Sequence, residues 1–119
     1  MGTIADFTES ELWLLRSTLQ ERYGRDVDVQ LADTEMRLDL HSTQLHTCPA
    51  AYWEWDKCHF IVVKTGNNRY RAQFYYRLYQ MYGTGIEEFD DLSTCVVTLL
   101  QVQADHEAKE RAEQEGQQR

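Results

Sequence analysis

The stretch His59-Phe60-Ile61-Val62-Val63-Lys64-Thr65-Gly66-Asn67-Asn68-Arg69-Tyr70-Arg71-Ala72-Gln73-Phe74-Tyr75-Tyr76 decides the fold. Two runs rich in β-branched and aromatic residues flank Gly66-Asn67-Asn68, a turn signal because glycine and asparagine tolerate positive φ. A hairpin is expected, with strands over 59–65 and 69–76. An even connection places Ile61 and Val63 on the same face as Tyr70, Ala72 and Phe74. It leaves Phe60, Val62, Lys64, Arg71, Gln73 and Tyr75 together on the opposite face.

Upstream, Trp53 and Trp55 alternate with Tyr52, Glu54 and Asp56, so 52–56 reads as a short strand that breaks at Asp56-Lys57. His41 to Pro49 has no period and contains the only proline, which makes it a loop. Before it, Val27, Val29 and Leu31 alternate with polar residues, and so do Met36, Leu38 and Leu40. These are two antiparallel strands joined by a tight turn at Asp33-Thr34-Glu35.

The first element is a helix. Thr8 and Glu11 form a capping box, Phe7 can staple onto Leu12, and Leu12, Leu15, Leu19 and Tyr23 follow helical spacing from Glu9 until Gly24 stops it. Downstream, 78–89 reads as a loop centred on Gly83-Thr84-Gly85. Asp90 or Asp91 then caps a second helix whose stripe is Leu92, Cys95, Val96, Leu99 and Leu100. After Ala104 nearly every residue is charged or Gln. The reading is one α+β domain over 1–104 and a solvated extension over 105–119 that frays before Gly116. The order α-β-β-β-β-β-α gives a two-layer sandwich, a five-stranded antiparallel meander with both terminal helices on one face.

At 119 residues, one core suffices. No apolar run approaches the ~20 residues of a membrane span and the start carries no signal pattern, so the chain reads as cytoplasmic with no membrane contact. Cys48, Cys58 and Cys95 are odd in number and widely spaced, which suits a reducing compartment. A net charge of −8 argues against double-stranded nucleic acid.

That charge is unevenly placed. Lys57, Lys64, Arg69, Arg71 and Arg77 lie between Lys57 and Ile86 with no acid among them, so this stretch carries +5 and the rest of the chain −13, for the total of −8. On the expected parity Phe60, Val62, Lys64, Arg71, Tyr75 and Arg77 form an exposed basic-aromatic sheet face. Such a face is expected to dock a protein partner or a second copy of the chain in a two-fold dimer, or else an anionic small ligand or a single nucleic-acid strand. The plain alternative is a solvated surface whose cations pair with Asp39, Glu54 or Asp56.

Other constellations are less specific. His41, His46, Cys48, Cys58 and His59 hold enough donors for zinc, but adjacent Cys58 and His59 point to opposite faces of a strand and the paired short spacings are missing. Glu87, Glu88, Asp90 and Asp91 suit a helix N-terminus. A metal-binding or hydrolytic domain built on the His41 to His59 region or on that acidic cluster is the alternative class. No cofactor or catalytic residue is assigned. Trp53, Trp55, Phe74, Tyr76, Tyr79 and Tyr82 are expected mostly in the core. In the order of its elements the chain resembles the frataxin-like layout, and small secretion chaperones and immunity proteins build acidic sandwiches of this size. Neither likeness supplies a matched binding residue.

Overall fold

The computed structural model describes residues 2–39, 41–77 and 79–117. Its elements are β1 (Gly2–Thr3), α1 (Glu9–Tyr23), β2 (Gln30–Met36), β3 (His46–Trp55), β4 (Cys58–Gly66), β5 (Arg69–Tyr75), β6 (Met81–Gly83) and α2 (Leu92–Gln117). Strands β2 to β6 form an antiparallel meander, and β1 lies parallel to the start of β3. The expected α+β layout, with both helices on one sheet face, is the one observed.

Helix α1 starts and stops where its sequence directs. Thr8 Oγ1 accepts from the Glu11 N–H at 3.1 Å, Glu11 Oε1 accepts from the Thr8 N–H at 2.8 Å, and Gly24 ends the helix at φ 76°. Leu15 and Leu19 are fully buried against Trp53, Phe60, Val62, Ala72 and Phe74, and α2 adds Cys95, Val96 and Leu99 to the same core. Asp91, rather than Asp90, caps α2 through the Thr94 N–H at 2.9 Å.

The register of the central hairpin departs from expectation. The connection Asn67-Asn68 has two residues, but Lys64 pairs with Tyr70 and Gly66 with Arg69, so Thr65 is an extra residue in β4. That bulge changes the parity. Phe60, Val62 and Lys64 stand beside Phe74, Ala72 and Tyr70 under the helices, while Ile61 and Val63 stand beside Gln73 and Arg71 on the other face.

Strand β2 runs straight through Asp33-Thr34-Glu35, where a turn was expected, and pairs along all seven residues with β3. The strand keeps its faces, and the apolar residues change parity because the buried side switches from the helix face to the opposite one. Val29 joins the main core, whereas Met36 and Leu38 join a second cluster with Cys48, Ala50 and Val63 on the face away from the helices. The middle of β2 is polar because it lies at the sheet edge. Leu40 lies outside the described residues.

Strand β3 begins at His46, inside the expected loop. The Ile4 N–H donates to the Thr47 carbonyl at 2.9 Å, so the backbone of Pro49, two residues on, faces the same side, in the gap between the end of β1 and the first β4 pair. Its missing N–H is not needed there. Asp56 and Lys57 both have positive φ and close the β3–β4 turn.

The expected 78–89 loop contains β6, and Phe89 bridges to Tyr70 through two backbone hydrogen bonds of 2.9 and 2.7 Å. Leu78 lies outside the described residues. Helix α2 continues to Gln117 instead of fraying. Packing extends past 104, since the Tyr76 hydroxyl bonds Glu107 at 2.9 Å and Gln103 at 3.0 Å, and the His106 ring lies 4.4 Å from that of Tyr82. The solvated part begins at Ala108. Tyr79, expected in the core, is 74% exposed.

Candidate functional site

Both helices cover one face of the sheet, so the other is where a functional surface can form. Of the six residues expected there, three are elsewhere. Phe60 and Val62 are 1% and 0% exposed in the main core because the Thr65 bulge turns them inward. Lys64 is also inward: its Nζ donates to Glu11 Oε1 at 2.8 Å and to the Asp6 carbonyl at 3.1 Å. Glu11 also accepts from the Tyr70 hydroxyl. Burial pushes the Glu11 carboxyl up, but the bonds from Lys64, the Thr8 N–H and Tyr70 together pull it below its ordinary value. This cluster ties the start of α1 to the sheet.

Arg71 and Tyr75 do lie on the uncovered face, and Arg77 is exposed just past β5, where it donates to the Tyr79 hydroxyl at 2.9 Å. Arg71 is tethered within the chain. Its Nε donates to Glu88 Oε2 at 3.3 Å, and Glu88 also accepts from Thr65 at 3.0 Å and Arg69 at 3.1 Å. Desolvation raises the Glu88 carboxyl, and these bonds, which outweigh it, lower it. The side-on contact engages only Nε. Among the described residues no hydrogen bond occupies the two terminal nitrogens of Arg71.

On this face β3 contributes small side chains, Cys48 and Ala50, between Thr34 and Met36 on β2 and Ile61 and Val63 on β4. The result is a trough of about 570 Å³. Ile61, Val63 and Met36 line it, Arg71 and Gln73 place polar groups in it, and Met81 with the Gly83 to Glu87 segment forms the far wall. Met81 and Ile86 are each 49% exposed there. Pockets of this size with an apolar lining and a few polar groups are typical binding sites.

Beside the trough a row of rings crosses three strands. The Tyr52 hydroxyl lies 2.5 Å from His59 Nδ1, the His59 ring stacks 4.8 Å from Tyr75, and Glu54 Oε2 is 3.9 Å from the same Nδ1. Desolvation, then the nearby Tyr75 and Glu54, raise the Tyr52 hydroxyl above its ordinary value.

The histidines and cysteines do not converge. Cys58 faces the core and His59 the uncovered face, His41 is exposed, and His46 Nδ1 is buried without a hydrogen-bond partner among the described residues. Among the described residues no three His, Cys, Asp or Glu side chains gather as a metal-holding group. All three thiols are free and buried. Burial raises Cys48 and pushes Cys58 and Cys95 up to about 12, which makes them poor nucleophiles. No protein-family model matches the chain, and no curated protein or solved structure does. None of these comparisons supports the frataxin-like likeness. No helix among the described residues is long and apolar enough to cross a membrane.

Sequence reasoning missed Met36, Ile61, Val63, Met81 and Ile86, and it placed Gln73 on this face without counting it as a contact. The signal was present in the apolar set Phe60, Val62, Tyr70, Ala72 and Phe74, which falls on one face only if the hairpin gains a residue.

Proposed function

We propose that the protein is a small, non-enzymatic interaction module of the cytoplasm that holds a protein partner on its uncovered sheet face. The trough carries this reading: it joins an apolar lining to half-exposed Met81 and Ile86 and to an arginine whose terminal nitrogens bond no group among the described residues. Methionines in such a wall adapt to a partner's shape. The occupant is an apolar segment with one carboxylate beside it, met by Arg71. Glu87 on the same wall selects against a second carboxylate. Three free thiols in the core suit a reducing compartment.

A photo-crosslinking residue at Gln73 or Met81, compared in host extract with one at Trp13 or Lys109, tests the reading. Discrete protein adducts from Gln73 and Met81 alone support it, and an adduct with a second copy identifies the partner as the chain itself. Equal adducts from all four positions, or none from the sheet, overturn it.

The trough's volume also favours an anionic small ligand, the second reading. On it, decanoate shifts the methyl resonances of Met36 and Met81 while decanol at the same concentration does not. Equal shifts from both would remove the anionic requirement.

A further inference from the structure

Among the described residues strand β2 pairs with β3 alone. Because the Thr47 carbonyl points toward β1 and backbone direction alternates along a strand, Cys48 and Ala50 both face β2. Their partners Thr34 and Ala32 therefore face inward, and the N–H and C=O groups of Leu31, Asp33 and Glu35 point outward. Among the described residues no strand pairs with that edge. Residues Gln30 to Asp33 and Glu35 are exposed, Leu31 at 50%.

A free edge of seven residues is a template for another strand, and natural edges are guarded by charge. Here the guard is selective. Antiparallel pairing of two copies centred on Asp33 sets Asp33 against Asp33, and pairing centred on Thr34 sets Asp33 against Glu35. A copy of the chain is disfavoured in both, whereas a strand bearing cations at those positions is favoured. Among the described residues neither Asp33 nor Glu35 forms an ion pair.

We infer that the outer edge of β2 accepts an extended, basic peptide segment as an added antiparallel strand. Its pattern is basic-x-basic-x-apolar, the cations opposite Glu35 and Asp33 and the apolar residue opposite Leu31. This is a second surface, independent of the trough: its contacts are backbone hydrogen bonds, with side-chain charge setting the choice of partner.

The probe is the peptide acetyl-TKVKVLT-amide, titrated to millimolar concentration against the full chain, with acetyl-TEVEVLT-amide as control. Amide hydrogen exchange and amide NMR shifts are the readout. The lysine peptide should slow exchange at Leu31, Asp33 and Glu35 and leave the already bonded Ala32 and Thr34 unchanged. It should bind about tenfold more tightly than the glutamate peptide, since two cross-strand charge pairs change sign. The D33K/E35K variant should invert that preference. Free exchange at the three outward amides, equal binding of both peptides, or shifts confined to Met81 and Ile86 would each overturn the assignment, the last by seating the peptide in the trough.

Discussion

Replacing Glu11 tests whether the cluster beneath α1 holds the helix to the sheet. The side chains of Lys64 and Glu11 are 6% and 15% exposed and 2.8 Å apart, and Glu11 also serves Tyr70 and the capping box. Glu11→Ala strands a buried ammonium, for which about 3–5 kcal/mol is the usual loss. It also removes half of a capping box, worth roughly another 1 kcal/mol. Against a total of about 5–15 kcal/mol for a domain of this kind, the variant should unfold at far lower urea with its denaturant slope unchanged. The double variant E11Q/K64M should lose less than the two single changes together, because neither charge is left alone.

The same carboxylate sets an acid limit. Its folded pKa lies below the ordinary value of 4.5, so its contribution is complete above about pH 4.5 and is lost as pH falls through the lower folded value. Glu11→Gln should therefore flatten the decline of stability below pH 4.5, while Glu88, shifted in the same direction, keeps part of it. A Glu11→Ala loss under about 1 kcal/mol, or strict additivity in the double variant, would refute a coupled buried cluster.

Deleting Thr65 should abolish cooperative urea unfolding, because Phe60 and Val62 would exchange faces with Ile61 and Val63. Thr65→Ala, which loses the bond to Glu88, should cost only about 1 kcal/mol. The native chain should resist an aromatic disulfide reagent at pH 8, with its three thiols reacting only as fast as the chain unfolds. Rapid reaction of one thiol in the folded state would contradict its burial. Removing residues 108–119 should change stability by less than about 0.5 kcal/mol. Removal from 103 onward should cost several times more, because Tyr76 and Tyr82 lose Gln103, His106 and Glu107.

Local signals that act within one turn were legible. The capping box at Thr8 and Glu11, the glycine stop at Gly24 and the breaks at Asp56-Lys57 and Asn67-Asn68 rest on neighbouring residues, and each stands where its chemistry directs. The layer order was legible too, since helical stripes at both ends need one apolar sheet face to cover. Parity was not. It depends on whether one residue bulges, and Thr65 does so where its hydroxyl reaches Glu88, more than twenty residues away. The uninterrupted β2 was hidden for a related reason: a turn and a straight strand whose apolar residues move from one face to the other leave the same mark on a period-2 pattern. The trough depends on Cys48 and Ala50 being small beside Met36 and Ile61, a contrast visible only once the strands are aligned.

The docking surface is most directly tested by the dissociation constant of the crosslinked partner measured with M81R/I86R. Both positions are half exposed, so the chain should fold as before. Affinity should fall at least about 100-fold, the loss expected when charge enters the centre of an apolar contact. A control, Val97→Arg, at a 54% exposed position on α2, should change it less than about threefold. Equal affinities for the two variants would mean that the uncovered face is not where the partner sits.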